Sequence, residues 1–575
     1  MKDYLLGVLT LIAIWMIAVQ GYMLIKGLAG LLHLGHAVFF GLGAYTAAIL
    51  SLSVLPAGTY PLSLFGAALV SALGALVIGA PALRARGRYF MLVTFSVQLM
   101  FIALVSNLHG LTGGPDGLSR IPRAQLGTWT VTSPGATLAL VALITMGCFL
   151  FCYVTVHSPY GRLVRAVRDD EIATEAFGKH PNRVKLTIFA IGAGVTGLAG
   201  GVFAHYMRYV GPTQFSLDLV ILFLVMLVLG GQFNLAGVTC GTLLVGLLIE
   251  GLRFLPLPHG SEAFLHQVVF GALLITILFL RPDGLLRERF PRYRRSLNVP
   301  SRPAAPTTGG VPARATASGI ALRTEGLAKQ FGGVKALDGC SFELPTGRIT
   351  AIIGPNGAGK TTIFNLITGF VTLDSGQVYY RDEPLAGLSP ARIATLGVAR
   401  TFQDVRIWPK LTVIENILVA IPRQSGERPF RGLLLRPQVM HEQRRNLELA
   451  WQLLERFGLE HKANDLGEAL SYAQQKMLAL ARLSALDPAV MLLDEPTAGV
   501  DVKRIGVFLD HIRRFSREQR RTVCLVEHNM DVVRALADHV LFVNEGRVVA
   551  AGNPEEVTAD ADLMRIYLGY SASVS

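Results

Sequence analysis

The first 285 residues alternate long apolar runs with short polar connections. A helix needs about 20 apolar residues to cross a bilayer, and nine stretches approach that length. They lie near Tyr4–Ile25, Gly27–Leu50, Leu62–Ala80, Tyr89–Leu108, Ala136–Val156, Leu186–Tyr206, Leu217–Gly230, Ala236–Phe254 and Ala263–Leu280. The pattern predicts an all-α polytopic membrane domain at residues 1–285, with about nine spans, of which the seventh is short.

Two kinds of residue interrupt the apolar pattern inside these spans. Residues 31–45 are rich in glycine and contain His33 and His36 at apolar depth, where a charged side chain costs about 2.5–3.5 kcal/mol. One interpretation is a broken helix that lines a substrate path; the alternative is close packing with neutral, hydrogen-bonded histidines. The glycines between Gly192 and Gly201 predict close helix packing.

Charge separates the two halves of the chain and orients the first one. Residues 1–300 contain 21 Lys+Arg and 11 Asp+Glu, whereas the whole chain has 53 and 40. The basic residues cluster in three connections, at residues 84–88, 162–185 and 281–295. Alternating spans put all three on one side, which the positive-inside rule makes cytoplasmic. On this count the N-terminus faces outside, and the net charge of +13 reflects topology rather than nucleic-acid binding.

The composition changes twice after residue 285. Residues 286–320 are rich in Pro, Ala, Thr and Arg and have no apolar period, which predicts a flexible basic linker whose first part lies against anionic lipid headgroups. Residues 321–570 have the charge content of an ordinary soluble domain. The boundary between two joined domains is therefore expected in the linker.

The second domain contains a predicted phosphate-binding loop. The predicted strand Ile349–Ile353 is followed by a match to G-x-x-x-x-G-K-[ST], with Gly354, Asn356, Gly357, Gly359, Lys360, Thr361 and Thr362 in sequence. Such glycines let backbone N–H groups face the phosphates of ATP, and the next helix adds its dipole. We expect Lys360 to reach the β- and γ-phosphates and Thr361 to bind Mg²⁺.

A second motif supplies the acidic residues. The apolar run from Val490 ends in Asp494 and Glu495, which indicates a buried strand with two carboxylates at its end. Asp494 is placed to hold Mg²⁺ through water, and Glu495 to orient or deprotonate the attacking water. Together the two motifs predict an α/β P-loop domain that binds ATP and Mg²⁺ and hydrolyses the nucleotide.

From about Leu322 to Tyr567 the chain resembles the ATPases of ABC transporters. Residues 470–476, Leu-Ser-Tyr-Ala-Gln-Gln-Lys, resemble the family's signature motif, although Tyr472 and Ala473 replace its usual two glycines. The resemblance implies that Ser471 and Gln474 complete the ATP site of a facing cassette. It also implies that Phe331 stacks on adenine, Gln403 is the Q-loop glutamine and a Mg²⁺ ligand, Asp501 belongs to the D-loop and His528 is the switch histidine.

The first half resembles the permeases of branched-chain amino acid (Liv-type) ABC importers at residues 34–45, 112–118 and 158–178. The last stretch is similar to the cytoplasmic loop by which such permeases dock on their ATPases, although its mixed charges at 162–175 also fit a solvated surface. The outer loop at 111–118 is either a tight connection or a contact for a solute delivered from outside.

These resemblances imply a fused permease and ATPase of an importer in the bacterial inner membrane, with the ATPase domain in the cytoplasm. The implied partners are a second permease and a second ATPase subunit, or a second copy of this chain, together with a periplasmic solute-binding protein and membrane lipid. Branched-chain or other hydrophobic amino acids are the leading solutes. Urea, short amides and small organic acids are alternatives, as are an ABC exporter and a membrane-anchored regulatory ATPase.

Overall fold

The computed structural model describes residues 1–568 apart from positions 57, 86, 253–267, 270, 273–274, 277–278, 280–283, 288–291, 295–318, 430, 432–435 and 501. The chain divides into two compact units. The first comprises Met1–Arg168, Asn182–Pro291 and Glu427–Leu433, and the second comprises Asp169–Pro181, Arg292–Gly426 and Leu434–Ser575. Most of the predicted linker at 286–320 lies outside the described residues.

The first unit is built from helices. Six of those in the described part of the chain are long and apolar enough to cross a membrane: Lys2–Leu28, His36–Val54, Tyr60–Ala82, Arg88–Asn107, Pro134–His157 and Pro181–Met207. Two shorter apolar helices follow at Leu217–Gly230 and Leu235–Leu252. The amphipathic helix Pro159–Asp169 precedes the sixth long helix. The ninth predicted span, Ala263–Leu280, lies mostly outside the described residues.

The second span begins later than the sequence predicted. Residues 30–35 are not helical, so the helix starts at His36 rather than near Gly27. Gly30 has φ +73°, a left-handed conformation that ends the preceding helix and that other residues rarely adopt. A Cβ at Gly30 would also lie 2.9 Å from Cγ of Arg168. Residues 30–35 therefore form the connection between the first two spans, and the predicted broken helix that lines a substrate path stays a prediction.

His33 lies in the connection at residues 30–35, and His36 is the first residue of the helix that follows. Both are fully buried, and His33 Nε2 lies 3.2 Å from His36 Nδ1. His33 Nδ1 lies 3.2 Å from the carbonyl oxygen of Leu31. His36 Nε2 lies 3.0 Å from the carbonyl oxygen of Ala18 and 3.1 Å from Oγ1 of Thr196. Every ring nitrogen thus has a hydrogen-bonding partner, as the packing interpretation requires.

Glycines bring the sixth long helix against its neighbours. A Cβ at Gly200 would overlap the carbonyl oxygen of Phe40, and one at Gly197 would overlap the side chain of Ser71. The apolar window of Pro181–Met207 is accordingly 72% buried, against 22% for Pro134–His157. The prediction of close packing through small residues is confirmed here.

The outer loop forms a tight connection. Residues 114–116 make a 3₁₀ turn, and Leu118–Ser119 pairs antiparallel with Tyr209–Val210. Gly113 and Gly117 have φ +75° and +68°, which only glycine adopts without strain. A second short hairpin pairs Gln125–Leu126 with Trp129–Thr130.

The second unit contains two sheets. The larger has six strands in the order Val398–Arg400, Val490–Asp494, Thr522–Val526, Ile349–Ile353, His539–Asn544 and Arg547–Gly552, of which only the last is antiparallel to its neighbour. The smaller is antiparallel, in the order Val334–Pro345, Ile320–Phe331, Ser375–Tyr380 and Glu383–Pro384. Apolar residues of both sheets and of the helix after Ile353 form a common core that includes Leu322, Phe364 and Leu492.

The second unit also contains helices, and parallel strands that are buried on both faces need such cover. In chain order they are Glu171–Ala176, Lys360–Ile367, Pro390–Leu396, Val413–Ala420, Arg436–Arg456, Tyr472–Leu486, Val502–Arg517, Met530–Leu536, Pro554–Ala559 and Ala561–Leu568. The α/β class predicted for the second domain and the helical class predicted for the first are both confirmed.

Candidate nucleotide site

Three neighbouring parallel strands bring the predicted motifs together. The register pairs Asp494 with Val526, and Val526 with Ile352. The chain segments that follow these strands therefore leave the sheet at one edge, because parallel strands end on the same side. Open parallel sheets commonly bind ligands at this edge.

The phosphate loop, residues 354–362, begins at this edge. Gly357 and Gly359 have φ +82° and +98°, and a Cβ at Gly359 would lie 2.5 Å from the carbonyl oxygen of Ala336. The Lys360 ammonium is folded back on the loop and donates hydrogen bonds to the carbonyl oxygens of Gly354 and Pro355, at 2.7 and 2.8 Å. Burial lowers the pKa of Lys360, so an anion beside it would be stabilising.

The helix after the loop begins at Lys360 and carries the other predicted ligands. Thr361 is exposed at its first turn and Thr362 is half-buried, while Asn356 is exposed within the loop itself. The helix N-terminus adds its positive dipole end to the same place. These residues thus surround a position suited to phosphate.

Asp494 lies fully buried at the end of its strand. Its Oδ2 pairs with the guanidinium of Arg400 at 3.3 Å, whereas its Oδ1 is buried without a hydrogen-bond partner among the described residues. Burial raises the pKa of Asp494, and Arg400 opposes that rise. A cation reached through water would satisfy this oxygen.

The available donors fit Mg²⁺ rather than a metal held by protein alone. The described residues contain no group of three or more His, Cys, Asp or Glu side chains arranged for a metal ion. Mg²⁺ characteristically binds one or two carboxylates and completes its shell with water and substrate phosphates. Asp494 and the hydroxyl of Thr361 match that requirement.

Glu495 stands at the centre of the predicted catalytic residues. Its Oε1 accepts a hydrogen bond from Gln403 Nε2 at 3.2 Å and lies 3.2 Å from His528 Nε2. Glu495 has φ +46°, a conformation that costs about 1–3 kcal/mol and is concentrated at functional sites. Gln403, Glu495 and His528 are thus brought together from three separate parts of the sequence.

Sequence reasoning missed several residues that hold this cluster. Lys476 donates to the backbone carbonyl oxygen of Glu495 at 2.7 Å. Glu527 accepts from the backbone and hydroxyl of Thr497, at 2.9 and 2.7 Å. The Tyr567 hydroxyl donates to the His528 carbonyl oxygen at 2.9 Å. Lys476 and Glu527 lie inside the recognised motifs, but their partners are about 19 to 30 residues away, so motif spacing did not reveal the pairs.

The signature residues form a helix cap. Ser471 Oγ accepts from the backbone N–H of Gln474 at 3.4 Å, and Gln474 Oε1 accepts from that of Ser471 at 3.0 Å. This reciprocal arrangement is a capping box, and it opens the signature helix, Tyr472–Leu486. The Tyr472 ring is half-exposed and packs near Gly499. The N-terminus of a helix is a suitable place for an anion.

The roles of two further residues stay predictions. Phe331 ends its strand, is 48% exposed and has its ring centre 5.6 Å from Lys329 Nζ, and its stacking on adenine is untested. Asp501 lies outside the described residues, so its predicted place in the D-loop stays a prediction.

The end of the predicted docking loop at 158–178 belongs to the second unit and packs on other residues of that unit. We call residues 169–181 the docking segment. Asp170 pairs with Arg406 at 3.0 Å, and Thr174 Oγ1 accepts from Trp408 Nε1 at 3.0 Å. Lys179 Nζ donates to the carbonyl oxygen of Ile421 at 3.0 Å. Because Thr174 and Lys179 are buried, this segment is not the solvated surface that its charges alone would have allowed.

The matches to known families change between residues 278 and 337, and a boundary between the two units, at Pro291 and Arg292, lies in the same stretch. Residues 4–278 match the model of the branched-chain amino acid transport system permease component, and residues 337–498 match the ABC transporter model. The two matches do not overlap, and together they cover most of both units.

Curated relatives resemble the second half. The high-affinity branched-chain amino acid transport ATP-binding protein LivG of Escherichia coli K12 is 40% identical over 248 residues, which are 43% of this chain and 97% of LivG. The corresponding protein BraF of Pseudomonas aeruginosa is 37% identical over the same length. A crystal structure of a nucleotide-free ATP-binding cassette from an ABC transporter has 33% identity and a TM-score of 0.38, over 43% of this chain and 98% of that one.

Proposed function

Because this chain belongs to the branched-chain amino acid family of ABC transporters, as a permease fused to an ATP-binding cassette, we propose that it imports small hydrophobic amino acids. The cassette binds and hydrolyses ATP to drive transport, as its family membership establishes. The observation that carries the proposal is the docking segment, because it joins a permease-type loop to the cassette that supplies the energy.

We assign the hydrolytic step to residues at the edge of the larger sheet. Glu495 orients the attacking water and accepts its proton, and His528 and Gln403 hold the Glu495 carboxylate by its Oε1. The backbone of Gly354, Asn356, Gly357 and Gly359, with Thr362, surrounds the phosphates. Lys360 leaves the carbonyl oxygens of the loop and turns to the β- and γ-phosphates when nucleotide binds. General-base assistance of this kind is worth about 10²–10⁴ in rate.

Magnesium is the cofactor that these donors suit. Thr361, Asp494 through water, and Gln403 are the residues that would hold it. When bound, the ion supplies positive charge that neutralises the phosphate oxygens. The chain's own part is to keep Asp494 ionised, which the Arg400 guanidinium at 3.3 Å favours.

The signature residues act on a second nucleotide. Ser471 and Gln474 cap a helix whose N-terminus is exposed, so we assign them, with Asp501, to the ATP held by a facing cassette. Phe331 stacks on the adenine of the chain's own ATP. The facing cassette is a second ATPase subunit or a second copy of this chain, and a second permease completes the membrane part. Closure of the two cassettes on ATP is the two-state element that the permease follows.

The solute is a branched-chain or other hydrophobic amino acid, delivered by a periplasmic binding protein to a bacterial inner membrane. This choice rests on the named relatives, which are branched-chain amino acid transport proteins. The positive connections of the first unit support a cytoplasmic ATPase domain. Urea, short amides and small organic acids are the alternative solutes for the same type of importer. Movement of solute out of the cell would make the chain an exporter instead. ATP hydrolysis without movement of any solute would make it a regulatory ATPase.

Transport in oriented vesicles tests the direction. The full chain, with the subunits that copurify with it and the co-encoded binding protein, is placed in proteoliposomes with radiolabelled leucine. ATP does not cross the membrane, so lumenal ATP energises only molecules whose cassettes face inward. We expect leucine accumulation with lumenal ATP and none with external ATP. Accumulation with external ATP alone would establish export instead, and hydrolysis without flux of leucine, urea, amides or small acids would establish a regulatory ATPase.

A further inference from the structure

Arg482 is an arginine in the core of the second unit with no part in the nucleotide site. It lies on the signature helix and is 1% exposed. Its guanidinium carbon lies 3.9 Å from the ring centre of Trp408 and 4.4 Å from that of Phe177. The two rings are themselves 5.6 Å apart. The cation therefore contacts one ring from the docking segment and one from the chain after the Q-loop, and the two rings lie on adjacent sides of it rather than on opposite faces.

Hydrogen bonds alone do not stabilise this cation. One terminal nitrogen, NH1, donates to the carbonyl oxygen of Arg406 at 2.6 Å. Nε and the other terminal nitrogen, NH2, are buried without hydrogen-bond partners in the part of the chain that the structure describes. Burial lowers the pKa of Arg482 to about 9, and Asp170 opposes that change. At neutral pH the group stays charged and depends on the two ring faces and on Asp170.

A buried charge at this position needs an explanation beyond stability. An apolar side chain of similar size in place of a buried charge is often neutral or stabilising. Two of the groups that compensate Arg482, Phe177 and Asp170, belong to the docking segment, and the other two, Trp408 and the Arg406 carbonyl oxygen, belong to the chain after the Q-loop. Arg482 thus makes the position of the signature helix depend on the position of the docking segment.

The signature helix is suited to carry movement between its two ends. Its N-terminus is fixed by the capping box of Ser471 and Gln474, and Arg482 lies 11 residues after Ser471, about 16 Å along the axis at 1.5 Å per residue. A rigid helix of this length moves as one body. A shift of Ser471 towards the nucleotide of a facing cassette therefore displaces the guanidinium as well.

We propose that Arg482 is a positioning residue that links ATP binding to the docking segment, through the contacts of its guanidinium with the rings of Phe177 and Trp408. When the signature end of the helix moves onto ATP, the guanidinium displaces Phe177 through this contact, and the docking segment follows. The inference rests on the docking role given under the proposed function, but it depends on neither the solute nor the direction of transport.

Hydrogen–deuterium exchange tests the link without any solute. The full chain carries Glu495→Gln, so that Mg-ATP stays bound, and is placed in lipid nanodiscs together with the subunits that copurify with it. Exchange is followed at residues 169–181 and 354–362. We expect Mg-ATP to protect 354–362 and to change exchange across 169–181. Adding Arg482→Met should leave the protection of 354–362 intact and reduce the change at 169–181 about fivefold or more, the lower end of typical coupling between sites.

Three further variants make the test specific. Arg517→Met makes the same chemical change on an exposed helix and should leave the response of the docking segment unaltered. Arg482→Lys keeps a cation beside the rings and should retain more of the response than Arg482→Met. Phe177→Leu removes one ring and should reduce the response even if Arg482→Met fails to fold.

The proposal is overturned by an undiminished response in Arg482→Met, or in Phe177→Leu if the methionine variant does not fold. A lysine variant no better than methionine, or an equal loss in Arg517→Met, would likewise contradict it. The proposal is also contradicted if, in the parent protein, Mg-ATP protects residues 354–362 but leaves exchange at 169–181 unchanged. None of these results bears on whether leucine is imported, so the two proposals fail separately.

Discussion

The two units of this protein differ in where they place polar and large apolar residues. In the membrane unit His33, His36, Gln98 and Thr196 are fully buried, whereas Val77 and other large apolar side chains are exposed. In the second unit the fully buried strands Ile349–Ile353, Val490–Asp494 and Thr522–Val526 are mostly apolar, and their polar chemistry stands at the strand ends.

The difference follows from the solvent of each unit. Water excludes apolar surface, so burial of apolar area stabilises the cassette. Lipid offers no such advantage, so packing of small residues and internal hydrogen bonds hold the membrane helices together. A single substitution should therefore act through catalysis or docking in the second unit and through steric fit in the first.

The largest effect is expected from Glu495→Gln, which keeps the side chain's shape and removes its basicity. Hydrolysis should fall about 10²–10⁴-fold while Mg-ATP remains bound, since the phosphate loop is untouched. Phosphate release and retention of labelled ATP measure the two properties. Unchanged turnover would show that Glu495 is not the general base. The contacts of Glu495 with Gln403 and His528 would then have a structural role only.

In the first unit, the most destabilising substitution should be one that adds a bulky side chain where two helices are in close contact. Gly197→Leu places carbon atoms where Ser71 and the Ala67 backbone already lie, and overpacking typically costs about 1–3 kcal/mol. We expect a lower thermal midpoint of the detergent-solubilised chain. Gly147→Leu is the matched control, because a Cβ at Gly147 meets nothing within 4 Å. Equal losses in both variants would contradict packing by small residues.

Charge reversal at the docking segment tests coupling. Asp170→Arg replaces the pair with Arg406 by repulsion and removes the cap on the backbone N–H of Ala173. Leucine moved per phosphate released should fall about fivefold with hydrolysis largely retained. Glu518→Arg, on an exposed surface, should change neither quantity. Preserved coupling in Asp170→Arg would refute the docking role.

The smallest effect is expected from a substitution in the signature motif, where Ala473 stands in place of the usual glycine. Ala473→Gly restores the residue that the family usually has and removes a methyl group near the facing nucleotide. One contact at a helix N-terminus is worth about 0.3–1 kcal/mol, so the ATP concentration for half-maximal hydrolysis should fall about two- to fivefold. An unchanged or higher value would show that the Ala473 methyl does not hinder ATP.

Sequence alone predicted the fold classes and both family resemblances, and these are confirmed. It succeeded with the phosphate loop because Gly357 and Gly359 determine their own backbone locally. It misplaced the start of the second span, because the left-handed conformation of Gly30 and its close approach to Arg168, 138 residues away, leave no mark in the apolar pattern. It also missed Arg482, since the partners Phe177 and Trp408 lie 305 and 74 residues earlier in the chain.

The central claim is that ATP hydrolysed at the second unit drives solute through the first. Simultaneous recording of leucine uptake and phosphate release, in proteoliposomes with lumenal ATP and external leucine and binding protein, tests it most directly. We predict that both rates rise together as lumenal ATP is increased, with a constant ratio, and that Glu495→Gln abolishes both. Phosphate release with no leucine uptake, or leucine uptake that persists in Glu495→Gln, would contradict the account.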